Sequence, residues 1–291
     1  MRFSPGFAVL ALQLPSVLRE LVTTALLALS SASTNAHPGA RPGESFTFSF
    51  SINSIEAGRA RMVVGKPVLR LGRSLVGVRA QAETLPWLTL IASFNDEYTL
   101  SIDEKTLLPV ELERIERGTR QRRIKTAVDG EGRQAQVSVT PPPPKGGRRD
   151  LQFVSAVRDP IAALFALRSI PSTGWAPMKF LVLDGIALWQ VSLSSSHNEK
   201  LRLEHDQPGS PGHAAVRFDG MAQRLDDKGQ PTKKPERHLS VWLSTDRDRA
   251  LLRAETETDI GMASVELTGY QPPNRRRDGT LIELPGIQID R

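Results

Sequence analysis

The chain contains no cysteine. That one absence excludes disulfides, thiolate nucleophiles, thiolate metal sites and a lipidated cysteine at a signal-cleavage point. Aromatic residues make up only 5% of the 291 residues, and no apolar run reaches the roughly 20 residues that a membrane-spanning helix needs. Also missing are Gly-x-Ser-x-Gly, His-Glu-x-x-His and any phosphate-binding glycine loop, the signatures of common hydrolases and nucleotide-binding folds. What the chain has in quantity is punctuation. Its 21 prolines and 22 glycines are scattered, which suits many turns between short elements. A hydrophobic content of 39% and a charged content of 24% are those of a globular protein, of one large or two small domains.

The formal charge is +6, from 38 basic and 32 acidic residues. Basic clusters occur only at Arg120, Arg122 and Arg123, between Lys145 and Arg149, and at Arg275 to Arg277. No aromatic residue is interleaved with them, as a single-strand binding face would require. A solvated basic surface is the expectation, with no nucleic-acid partner.

Residues 1–36 read as an export signal. Arg2 precedes an apolar stretch from Phe7 to Leu18, broken by Pro15. Arg19 and Glu20 follow, then a second apolar run from Leu21 to Leu29. Small residues lead to Thr34-Asn35-Ala36, which suits cleavage after Ala36. An uncleaved anchor and a later start codon are the alternatives. Cleavage would remove two arginines and one glutamate, taking the charge from +6 to +5. The expectation is a periplasmic protein that is not a lipoprotein and has no transmembrane span.

From Gly43-Glu44 the pattern alternates: Phe46, Phe48, Phe50 and Ile52 against Ser45, Thr47, Ser49 and Ser51. Period two with one apolar face marks a half-buried antiparallel strand. Glu56-Ala57-Gly58 reads as the following turn, and Arg59 to Val64 as the returning strand. Further strands are expected at Leu75–Ala82, Tyr98–Asp103, Val110–Glu116 and Arg120–Val128, with Thr84–Ser93 ambiguous between helix and strand. Glu111, Glu113 and Glu116 can face Arg120, Arg122, Arg123 or Lys125 across a hairpin and fix its register. Pro141 to Pro144, with the basic residues up to Arg149, is a surface loop or a seam between two halves.

Asp159 caps and Pro160 opens one helix over about 159–169, with Ile161, Leu164, Phe165 and Arg168 at helical spacing. Strands resume at Lys179–Leu183, Ile186–Ser195, Lys200–His205, Ala214–Ala222, His238–Ser244, Leu251–Thr258 and Met262–Tyr270. The expected fold is mainly β: a curved antiparallel sheet or open half-barrel wrapping that helix. A loop at 37–43 precedes a single domain at 44–271, and 272–291 forms a tail.

These pieces resemble the DUF3108 family of bacterial envelope proteins over roughly Gly43 to Gln271. The resemblance rests on Gly43-Glu44, Glu56-Ala57-Gly58, Ser101-Ile102-Asp103 and Thr106-Leu107-Leu108-Pro109. It continues through the helix from Asp159-Pro160 to Arg168, then Trp242-Leu243-Ser244-Thr245-Asp246, Ile260-Gly261 and Leu267 to Tyr270. Where the family has a proline after the last Asp, this chain reads Arg249-Ala250-Leu251-Leu252. The motif residues are thus Asp159, Pro160, Arg168, Trp242, Ser244, Asp246 and Gly261. The resemblance implies a periplasmic, mostly β protein, an open barrel or half-barrel of the kind lipid and lipoprotein carriers use. It implies no established activity.

Chemistry is sparse. Ser244 and Asp246 share a strand face, but an activated serine needs a base, and His238 lies six residues upstream. The simpler assignment is a strand end where both bond to turn backbone and Trp242 packs. His197, His205 and His213 recur every eight residues without an acidic partner at ligand spacing. Asp96-Glu97, Asp103-Glu104 and Asp226-Asp227 are adjacent carboxylates that point apart. No catalytic or metal residue and no cofactor is nominated. Phe46, Phe48, Phe50, Leu164, Phe165, Trp189 and Trp242 either line an apolar ligand groove or form the core. The expected function is non-enzymatic binding or carriage of an amphiphile or glycan in the envelope, implying an unfilled apolar groove. The alternative is a scaffold acting through protein contacts, implying a filled core and an exposed apolar patch. A hydrolase ranks third. The partners are accordingly a lipid, a glycan or an envelope protein.

Overall fold

The computed structural model describes residues 39–70, 72–89, 93–118, 121–143, 147–170 and 176–273. The expected signal at 1–36, Arg120, Lys145 and all of the tail beyond 273 lie outside them. The strands are β1 (Ser45–Ile52), β2 (Ile55–Arg70), β3 (Arg73–Thr84), β4 (Phe94–Asp103), β5 (Pro109–Gly118), β6 (Arg122–Val128), β7 (Gln134–Thr140), β8 (Arg148–Gln152) and β9 (Val157–Arg158). After helix α1 (Pro160–Ser169) come β10 (Met178–Leu183), β11 (Leu188–Leu201), β12 (His213–Leu225), β13 (Arg237–Ser244), β14 (Leu251–Thr258) and β15 (Gly261–Gln271). Among the described residues they form one 15-stranded sheet, in the order β8-β7-β6-β5-β4-β3-β2-β1-β15-β14-β13-β12-β11-β10-β9. Only the β9–β10 pair is parallel. The expected mainly β fold, a curved sheet around one helix, is what the chain forms.

Alternation in β1 puts Phe46, Phe48 and Phe50 on the inner face, each at most 4% exposed. The helix lies against that face. Every residue from Pro160 to Arg168 is buried, and a helix that is apolar all round belongs inside a core. Asp159 starts it, accepting from the Ile161 amide at 2.8 Å and the Ala162 amide at 3.3 Å.

The two ends of the sheet overlap. Phe180 and Val182 of β10 join the cluster around α1, whereas Leu181 and Leu183, on the opposite face, pack with Ile124, Val137 and Leu151 of β6–β8. The inner face of β6–β8 therefore lies on the outer face of β10–β12, like the lap of a scroll. Arg149 of β8 pins the lap, donating to the Asp227 carboxylate and the Ile186 carbonyl, both at 2.9 Å. Side-chain packing, not strand pairing, closes this barrel.

Three expectations are corrected. The first turn is Asn53-Ser54, both at positive φ (49° and 63°), as a two-residue hairpin requires. Glu56-Ala57-Gly58 is strand; Gly58 is small because a Cβ there would collide with the Phe50 ring and the Glu83 carbonyl. Lys200–His205 is no separate strand, since β11 runs through to Leu201. Strands β7, β8 and β9 lie where none was expected. Of the ambiguous 84–93 segment, Thr84 ends β3 and Pro86–Leu88 form a 3-10 turn, residues 90–92 lying outside the described ones. The described part of the proline run lies in the β7–β8 connection.

Candidate functional site

The helix C-terminus meets the barrel end at which β1 begins. Arg168 there is 1% exposed and Glu44, just before β1, is 0% exposed. The two form a bidentate pair with both distances at 2.7 Å. The other guanidinium donors reach the Arg249 carbonyl at 3.0 Å and the Asp248 carbonyl at 2.9 Å. Arg249 returns the contact, its Nε donating to the Arg168 carbonyl at 3.0 Å. The Tyr270 hydroxyl donates to Glu44 at 3.4 Å. Burial, with the Glu44 charge beside it, pushes the Tyr270 pKa up to about 12. Such a fork-to-fork pair fixes geometry tightly, and here it locks helix, β1 and the β13–β14 turn together.

The remaining motif residues serve the same frame. Ser244 donates to Asp246 at 2.7 Å and accepts from the Ala250 amide at 2.8 Å. Asp246 also accepts from the amides of Asp248 and Arg249, at 2.9 and 3.1 Å. Both side chains are thus spent on the turn that presents the Asp248 and Arg249 carbonyls to Arg168. Arg249 sits at φ +45°, a value proline cannot adopt. Gly261, at φ +126°, makes room for Asn53, whose side chain bonds the Met262 amide and the Ile260 carbonyl at 3.0 and 3.1 Å.

Phe46, Phe48, Phe50, Leu164, Phe165 and Trp189 share one cluster. Trp242 does not. It packs on the outer face with Leu201, Ala215 and Leu252, donating to Glu199 and lying 4.9 Å beneath the Arg217 guanidinium. His213, His197 and His205 face different carboxylates: Asp206 at 3.0 Å, Glu199 at 3.5 Å and Glu266 at 3.7 Å. Asp103 is buried, yet hydrogen bonds from Thr106 and Arg73 hold it below the usual carboxylate range.

The inner face toward the opposite barrel end is charged, which sequence pattern did not reveal. Asp96 and Tyr98 of β4 face Arg114 and Glu116 of β5 there. Arg114 bonds Asp96 at 3.4 Å and Glu116 at 3.1 Å. The Tyr98 hydroxyl is 3.5 Å from Asp159. Burial pushes the Asp159 carboxyl up to about 7, against the pull of the Ile161 and Ala162 amides. Burial likewise raises Tyr98, and Asp184 in the β10–β11 turn.

The outer face of β4–β8 carries a trough of about 480 Å³. Strand register builds it as two rows of directly paired residues. One runs Thr99, Glu113, Lys125, Ser138 and Arg148; the other runs Ser101, Glu111, Ala127 and Gln136. Small side chains (Thr99, Ser101, Ala127, Ser138) make the floor, and longer charged ones stand beside it. The carboxylates are partly neutralised, Glu113 by Arg123 and Lys125 and Glu111 by Arg70. Hydrogen bonds from Arg123 are the main reason the Glu113 pKa is lowered. The trough is therefore rich in both donors and acceptors and close to neutral.

Fold and sites define a barrel-like β protein with a helical plug. The family model described as a protein of unknown function, DUF3108, matches residues 45–268, and the chain belongs to that family. No curated protein matches the chain. A beta-barrel-like protein of the DUF1849 domain from Brucella abortus is similar in structure. Its TM-score is 0.50 at 9% identity, covering 78% of this chain and 96% of that one. A protein named as a "putative exported protein with YmcC-like fold", from Bacteroides fragilis, aligns over 82% of this chain and 100% of its own, at 6% identity and a TM-score of 0.35. Among the described residues no helix is long and apolar enough to cross a membrane.

Proposed function

We propose that this protein is a non-enzymatic binding protein of the periplasm that holds a polar, polyhydroxylated ligand such as a glycan in the β4–β8 trough. The observation that carries this reading is the pair of registered polar rows around an open volume of about 480 Å³. Hydroxyl, amide, carboxylate and cationic groups repeat there at the strand spacing of about 4.8 Å. That spacing is close to the length of one sugar ring, and mixed donors and acceptors suit hydroxyls, which do both. An amphiphile is the weaker choice, because six of the seven apolar residues considered for its groove are packed around α1.

The test is calorimetric titration with a panel of envelope glycans, peptidoglycan strands and lipopolysaccharide core among them. An Ala127→Trp variant, which fills the trough floor at an exposed position, serves as control. Binding by the natural sequence that the variant loses, with an unchanged Tm, supports the reading. Absence of binding across the panel, or equal binding by the variant, refutes it.

A scaffold acting through protein contacts is the second reading. Ile55, Trp87 and Met262, 59%, 55% and 44% exposed, favour it. All three lie at the barrel end carrying the β1–β2 turn.

A further inference from the structure

On the inner face, at the barrel end away from the Glu44–Arg168 pair, three adjacent strands present groups that can only donate hydrogen bonds. Trp189 of β11 pairs directly with Arg224 of β12, and Arg237 of β13 pairs with Ala222, two residues before Arg224. The Arg224 and Arg237 guanidinium carbons lie 5.9 and 5.6 Å from the Trp189 ring centroid. Trp189 is 1% exposed and its Nε1–H has no acceptor among the described residues. Buried donors are nearly always satisfied, so one without an acceptor calls for a partner.

The nearby acids do not supply it. Arg224 is only partly buried, and no described carboxylate lies within ion-pair distance of it. Arg237 Nη2 bonds Asp259 at 3.0 Å, on a side chain that is 55% exposed. Asp184 is the carboxylate that acts on Arg224 from the β10–β11 turn. Its Oδ1 is occupied by the Ile186 and Ala187 amides at 3.3 and 3.0 Å. A water could satisfy the indole alone, whereas an anion would engage the indole and the partly buried Arg224 guanidinium together.

We propose that Trp189, Arg224 and Arg237 form an oxyanion site that takes a phosphate-type group. Its oxygens would accept from the indole and from the Arg224 fork together, with Arg237 adding charge from the next strand. Arginine suits this role because its planar fork presents paired donors to phosphate oxygens. The site lies inside the barrel and is independent of the outer trough.

The test is NMR of the ¹⁵N-labelled protein in phosphate-free buffer, following the indole Nε1–H resonances of its four tryptophans. Trp189→Phe assigns the Trp189 signal. Inorganic phosphate and short-chain dihexanoyl phosphatidic acid are the two probes. A saturable shift of the Trp189 signal with inorganic phosphate supports the site as one for the free anion. A shift with the lipid alone supports it as a headgroup site. Arg224→Gln should weaken binding roughly tenfold or more, and Arg224→Lys, which keeps the charge but not the fork, should fall between. No saturable shift with either probe overturns the proposal. So does unchanged affinity in both Arg224 variants.

Discussion

Replacing Arg168 by Met removes one partner of the most deeply buried ion pair described. The substitution keeps an unbranched side chain of similar length, so the effect reports lost polar contacts more than lost packing. Four good acceptors lose their donor: both Glu44 oxygens and the carbonyls of Arg249 and Asp248. Glu44 has no exposure to water, and the contacts left to it are the Arg41 amide at 3.1 Å and a long one from Tyr270 at 3.4 Å. Removing one partner of a buried pair costs about 3–5 kcal/mol, because the other charge stays behind uncompensated. For a domain of this size each kcal/mol moves Tm by about 2–4 °C, so Arg168→Met should melt about 6–20 °C lower. Glu44→Gln should cost less, since an amide can still accept from the guanidinium. Combined with Arg168→Met it should be strongly non-additive, the double variant being more stable than the sum of the singles implies. Urea unfolding followed by circular dichroism gives each corner of the cycle. A loss below about 1 kcal/mol for Arg168→Met, or simple additivity, would show that the pair does not organise this end of the barrel.

Asp159 gives a pH signature of unusual sign. Its folded-state pKa, about 7, lies above the unfolded value near 4, so the native state holds the proton more tightly. Stability should therefore fall as pH rises from about 4 to 7, by at most about 1.4 kcal/mol per pH unit, and then level off. Asp159→Asn, which still caps, should abolish that slope in denaturation curves measured across this window. Trp242→Phe keeps the outer-face packing but deletes the hydrogen bond to Glu199, and should cost about 1–3 kcal/mol in urea unfolding. Gly261→Ala forces a Cβ into the Asn53 side chain at φ +126° and should lower stability by about 1–3 kcal/mol. An Asn53→Gly background should relieve part of that loss.

The sequence was most legible where a local rule and the tertiary environment agree. Four alternating phenylalanine and isoleucine positions could only be one face of β1. Asp159-Pro160 before an apolar run could only open a helix. It was misleading at Gly58, where a glycine that suggests a turn is demanded by a neighbouring ring instead. Strands β7 and β8 were hidden because small and polar residues (Gln134, Gln136, Ser138) alternate with only Ala135, Val137 and Val139, next to a proline run. Arg168 was visible as a motif residue but its role was not, because Glu44 lies 124 residues away in the chain. The trough could not be read at all. It depends on the register of five strands, and one slip would send each of its side chains to the other face.

Arg114, Glu116 and Asp96 show why charge is the poorest local guide in this chain. Each is a residue that ordinarily faces water, and each follows the alternation of a strand whose neighbours Leu100 and Leu112 face the core. Alternation therefore demands that these charges turn inward, while polarity demands that they turn outward. Pairing resolves the conflict, since Arg114 between Asp96 and Glu116, with Arg122 also on Glu116, lets the inner face become ionic with two cations for two carboxylates. The helix sets where that is allowed. Where α1 packs, it fills the interior with apolar side chains, and the forked Glu44–Arg168 pair fits beside its C-terminus together with Arg249 and Tyr270. Near and beyond the helix N-terminus Phe50, Phe94 and Leu239 continue the apolar cluster, but polar groups from β4, β5, β11, β12 and β13 share the inner face with them. The ten-residue helix thus separates an end where apolar packing fills the inner face from one where polar groups share that face with the apolar cluster.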